Sequence, residues 1–149
     1  MEEAEIVNRR LSIFRYFTWS EELREEYGKA RREKFPAVGK SYDQGKGMPY
    51  AEAMHAEMYM HLWFSMLYVV IEGWQKLKTG DDVLSPLLRS PCKDLLRRFR
   101  NSTFHPDDLM APKSRGLVQK GEEAYVWVEE VQAAFRGYFR DIREAESLL

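Results

Sequence analysis

The chain has 149 residues and a mass of 17.7 kDa, the length of one domain, expected here to span 1–149. Hydrophobic residues make up 44% of it, charged residues 32% and aromatic residues 13%, and the formal charge is −1. This composition excludes a chain disordered throughout and a protein that coats nucleic acid by bulk charge. Residues 3–17 carry Ile6, Val7, Leu11, Phe14 and Phe17 at helical spacing. Thr18-x-x-Glu21 is a capping-box pattern, which predicts a second helix from Thr18 to about Glu33. Pro36, Gly39, Gly45, Gly47 and Pro49 break the pattern and predict a mobile loop over 35–49.

Tyr50 to about Lys78 reads as the central buried helix, interrupted only by Gly73, which would mark a close helix contact. Thr79-Gly80-Asp81 ends it, and a short helical turn is expected around Leu84–Leu88. Ser90-Pro91 opens a further helix, from Cys92 to about Phe104, which stops before Pro106. Pro112 and Gly116 mark a second loop. The last helix runs from about Glu122 to Ser147 on the stripe Tyr125, Val128, Val131, Phe135, Phe139 and Ile142. The expected fold is all-α: an up-and-down bundle of four to five main helices plus a short one.

Other classes are narrowed in turn. A single cysteine, Cys92, forms neither an internal disulfide nor a thiolate metal cluster, and fits a cytoplasmic setting. The start Met1-Glu-Glu-Ala-Glu lacks the apolar run of a secretory signal. The most apolar stretch, Met58 to Ile71, is too short and too polar for a membrane span. Glu52-x-x-His55, with Glu57 and His61, resembles half of a carboxylate-bridged metal site, but no second Glu-x-x-His exists. Hence no metal and no cofactor is expected. Met54, Met58, Met60 and Met66 read as core. The stretch Arg24–Lys40, with six basic residues against three acidic, is read either as a solvated face or as a track for an RNA backbone.

The segment from Arg89 to His105 holds five basic residues against one acidic, +4 in a chain of −1. Lys93, Arg97, Asn101 and His105 recur every fourth residue and share one helix face, while Leu95, Leu96, Phe99 and Phe104 would supply the buried side. Arg100 and His105 are five apart, about 140° around an ideal helix, and converge only if the helix end deforms or a second copy supplies one of them. Arginine offers a planar fork for phosphate oxygens. Histidine, with an ordinary pKa of about 6.5, takes or gives a proton near neutrality. RNA brings its own nucleophile, the 2′-hydroxyl. The same residues also admit a plainly structural reading, with Arg100 paired to Glu72, Asn101 capping and His105 at a helix C-terminus.

Trp63-x-x-x-Leu67-Tyr-Val-Val-Ile-Glu72-Gly-Trp74, then Leu95-Leu-Arg-Arg-Phe-Arg100-Asn101-x-x-Phe104-His105, resembles the HEPN superfamily (higher eukaryotes and prokaryotes nucleotide-binding domain) over about residues 50–140. Its signature is an arginine, a polar residue, then a histidine four to six places on from the arginine. The resemblance implies a HEPN-like homodimer acting as a metal-independent endoribonuclease on single-stranded RNA, a hydrolase of toxin–antitoxin or phage-defence type, with an antitoxin as a possible partner. It implies Arg100 for charge stabilisation, His105 for proton transfer and Asn101 for orientation. Arg97 and Lys93 would hold substrate, and Glu72 would support Arg100. Some toxin members carry a tyrosine two residues past the histidine; here that position is Asp107. The family also contains non-catalytic members, so a helical dimerisation or nucleotide-binding module is the alternative.

Overall fold

The computed structural model describes residues 2–34, 50–108 and 112–146. The loop expected over 35–49 lies outside them, as do Ser147 and the side chain of Glu52. Among the described residues six α-helices form: α1 (Glu3–Lys34), α2 (Tyr50–Leu77), α3 (Leu84–Leu87), α4 (Cys92–Thr103), α5 (Gly116–Gln119) and α6 (Glu122–Glu146), with a 3₁₀ turn at Pro112–Ser114. No strand forms among the described residues. No helix is long and apolar enough to cross a membrane among the residues described.

The two helices expected at the start are one. No proline interrupts residues 3–34, and α1 runs through Thr18 without a break. The Thr18 hydroxyl donates to the Phe14 carbonyl at 3.0 Å, an in-helix bond back along the chain rather than a cap. At 32 residues, α1 is about 48 Å long.

Four helices carry the bundle. Tyr27 meets Trp63 while Ile13 meets Gly73, so α1 and α2 run antiparallel. Phe14 meets Phe139 while Arg24 pairs with Glu129, so α1 and α6 also run antiparallel. His61 bonds Thr103 and Arg100 lies over Tyr68, which orients α4 against α2. The order α1, α2, α4, α6 is therefore up, down, up, down.

Gly73 is needed for the first contact. A Cβ placed on it would lie 2.9 Å from Ile13 Cγ1. Gly116 plays the same part for α5, where a Cβ would come within 2.8 Å of Leu95 Cδ2. The core holds Trp63, Leu67, Val70, Ile71, Leu96, Phe99, Val128, Val131 and Phe135. Of the buried polar side chains, Gln132 ties three helices together. Gln132 accepts from Trp63 Nε1 at 3.1 Å and donates to Ser20 Oγ at 2.9 Å and Glu21 Oε1 at 2.6 Å, joining α1, α2 and α6. That network is satisfied, so burying the amide costs little. Two of the methionines assigned to the core, Met54 and Met58, are exposed, because α4 ends at Thr103 and leaves the first turns of α2 uncovered on that side.

Short connections are fixed by side chains. Asp81 Oδ1 accepts from the Val83 and Leu84 amides at 2.9 and 2.7 Å and starts α3. Trp127 Nε1 donates to the Leu87 carbonyl at 2.9 Å and ties α6 to α3. Ser90 Oγ accepts from the Cys92 amide at 3.2 Å, as the Ser90-Pro91 start requires. Helix α5 and the 3₁₀ turn replace the plain loop expected around Pro112 and Gly116.

Candidate functional site

Helix α4 buries Cys92, Leu96, Phe99 and Ser102. Its outer face is therefore Lys93, Asp94, Arg97, Arg98 and Asn101, as the fourfold spacing predicts. Arg97 and Arg98 share one carboxylate. Arg97 donates to Asp94 Oδ1 at 2.7 and 3.0 Å, and Arg98 Nε meets Asp94 Oδ2 at 2.9 Å. The hydrogen bond from Arg97 holds the Asp94 carboxyl below its usual range. Lys93 has no carboxylate within ion-pair distance among the described residues.

The helix ends one residue before Phe104, and His105 lies beyond it. The His105 amide donates to the Ser102 carbonyl at 3.2 Å, and its carbonyl accepts from the Asp108 amide at 2.9 Å. Its imidazole is exposed and makes no hydrogen bond to a described residue. Ser114 Oγ donates to the Asp108 carbonyl at 2.7 Å, which pins the 3₁₀ turn against this corner.

Between the helix face and that corner opens a cleft of about 490 Å³ lined by Arg97, Arg98, Asn101, Ser102, His105, Asp108 and Ser114. It brings together three of the residues singled out from sequence: Arg97, Asn101 and His105. Arg100 does not line it. Its guanidinium lies over the Tyr68 ring, 5.9 Å from the centroid, on the α2 side. It is joined to the cleft through Asn101, whose Oδ1 accepts from Arg100 Nη1 at 3.0 Å. Arg100 has no carboxylate within ion-pair distance among the described residues, and its buried Nε has no acceptor. Glu72 reaches Lys76 at 4.0 Å on its own helix and is not bonded to Arg100. Burial, then the Glu72 charge, pushes the Tyr68 phenol up, against the opposing pull of Arg97 and Arg100.

Phe104 was expected on the buried side and is 59% exposed. Five residues on from Phe99 is about 140° around the helix, so Phe104, the residue that caps α4, falls on the side of Arg97 and Arg100 rather than on the inward face. Sequence reasoning passed over Arg98 and Ser114 as cleft residues; the acidic pair Asp107–Asp108 is expected to repel a phosphate if it faces the cleft, and Asp108 does line it. Arg98 was detectable, being three residues before Asn101 on the same helix. Asp108 and Ser114 arrive by loop closure, and Tyr68 by tertiary packing, neither of which has a local signal.

His61 is part of the scaffold of this site. Thr103 Oγ1 donates to the Phe99 carbonyl at 3.0 Å, so the 2.9 Å contact with His61 Nδ1 has the imidazole as donor. The ring stacks on Phe99 with centroids 4.3 Å apart, and Nε2 lies 3.6 Å from Glu57. Burial pushes its pKa down, with Glu57 pulling the other way. No group of three His, Cys, Asp or Glu side chains that could hold a metal occurs among the described residues. Compared against protein-family models, curated proteins and solved structures, the chain finds no match in any of the three.

Proposed function

We propose that the protein is a metal-independent endoribonuclease of HEPN-like type that works as a homodimer. The observation that carries the reading is Asn101, which binds the Arg100 guanidinium at 3.0 Å and lines the same cleft as His105. Asn101 thus touches an arginine that has no carboxylate partner among the described residues and lines the cleft beside an exposed imidazole.

The chemistry follows from the substrate. An imidazole takes the proton of a 2′-hydroxyl, and the 2′-oxygen bonds to phosphorus. The bond from phosphorus to the 5′-oxygen breaks, and an imidazolium gives that oxygen a proton. The products are a 2′,3′-cyclic phosphate and a 5′-hydroxyl. Guanidinium groups balance the charge gathering on the phosphoryl oxygens. A single histidine cannot be base and acid in the same step, so a twofold-related copy supplies the other. Pairing of copies would also bring an Arg100 to the cleft from outside it.

A non-catalytic nucleotide-binding dimer is the second reading. It is favoured by the position of Arg100 over Tyr68, away from the cleft of its own protomer. One experiment separates the two: purified protein and His105→Ala are incubated with tRNA and mRNA in EDTA. The first reading expects cyclic-phosphate ends with the native chain alone, at unchanged melting temperature. Equal cleavage by the variant, or none by either, overturns it.

A further inference from the structure

The outer ridge of α4 ends on a phenylalanine in water. Phe104 follows Arg97 by seven residues, Arg100 by four and Asn101 by three, so it continues their face of the helix by one turn. Its side chain is 59% exposed and meets no other aromatic ring among the described residues. The end of α4 is anchored without it, by Phe99 against His61 and Phe64 and by the Thr103 and Ser102 hydroxyls. Among the described residues the packing therefore gives this ring no task. Its neighbours are cationic and polar: Arg100 with its unpaired Nε, Asn101, and His105 next in the chain.

A flat apolar ring one turn from a guanidinium without a carboxylate fits a ligand that alternates flat faces with anions. An unpaired RNA strand is such a ligand. A duplex hides its base faces in its own stack, and an acidic peptide offers charge without a plane. We propose that Phe104, directly before His105 in the chain, is a stacking platform for one unpaired nucleobase beside the cleft lined by Asn101 and His105, and so selects single-stranded over duplex RNA. This rests on the ribonuclease reading, with single-stranded RNA as its substrate, and adds to it the residue that would take an unpaired base.

The test uses a fluorescein-labelled 2′-fluoro oligonucleotide, which lacks the nucleophile and stays intact. Anisotropy is read for the single strand and for its duplex with the native chain, Phe104→Ala, Phe104→Leu and Phe104→Tyr. Phe104→Ala should weaken single-strand binding about 5- to 150-fold and leave duplex binding unchanged. Phe104→Tyr should bind as the native chain does, while Phe104→Leu, apolar but not flat, should resemble the alanine variant. An abasic nucleotide at the stacked position should reproduce the loss in the native chain and add little to Phe104→Ala. The ring is exposed, so urea midpoints should not move. If Phe104→Ala holds the single strand as tightly as the native chain, the inference fails and the RNA reading stands. If the native chain binds neither form, both fail together.

Discussion

Acidification should loosen the end of α4 through His61. The imidazole is largely buried between α2 and α4, donates to Thr103 at 2.9 Å and stacks on Phe99. Burial favours its neutral form, so its pKa is lower in the folded chain than in the unfolded one. Above about pH 6.5, the ordinary histidine value, the ring is neutral in both states and its contribution is whole. Below that value the unfolded chain takes up the proton first. Stability then falls by up to about 1.4 kcal/mol per pH unit, and the loss levels off once the folded pKa is passed. Carboxylates add their own acid loss, so the measurement is a difference. Urea unfolding is followed from about pH 7.5 to 5 for the native chain and for His61→Gln, which titrates nothing there. The native chain should lose more over the window. Glu57→Gln should steepen the loss, because Glu57 is the group that favours the charged ring. Parallel curves for the native chain and His61→Gln would refute the reasoning. Since Thr103 is two residues from His105, the proposed RNA cleavage should weaken over the same window.

Gly73→Ala sets two effects against each other: alanine favours the helix by about 1 kcal/mol, while a methyl 2.9 Å from Ile13 Cγ1 overpacks a buried contact at about 1–3 kcal/mol. Ile13 is itself buried, so overpacking should win and the urea midpoint should fall; a rise would show that α1 and α2 separate freely. Gln132→Ala should cost about 1–3 kcal/mol for the indole N–H left without an acceptor, read by the same unfolding assay, with a further loss from the cavity; Trp63→Phe in that background should recover part of it.

The fold was largely legible because its signals are local. The apolar spacing of α2 and α6 and the Ser90-Pro91 start have physical causes within a few residues, while Gly73 shows as a bare gap in an apolar helix whose reason, Ile13, lies on another helix. The break at Thr18 failed for an instructive reason. Thr18 and Glu21 make a cap only if the chain bends before them, and nothing from Phe14 to Phe17 makes it bend. The site was legible on α4 alone. Helical spacing places Arg97 and Asn101 together, and the helix end delivers His105. It is silent on Tyr68, which draws Arg100 aside, and on Ser114, which closes the far wall. Phe104 was assigned to the buried side although it stands about 140° from Phe99, on the side of Arg97.

Asp94 holds two guanidiniums of the cleft wall at once, from 2.7 to 3.0 Å. A phosphate arriving there displaces an internal carboxylate instead of ions from the bulk. Each such contact would then release fewer counterions than the roughly 0.7 per phosphate expected of a single strand. A plot of log affinity against log salt concentration would count too few arginines, and Asp94→Asn would restore the missing slope.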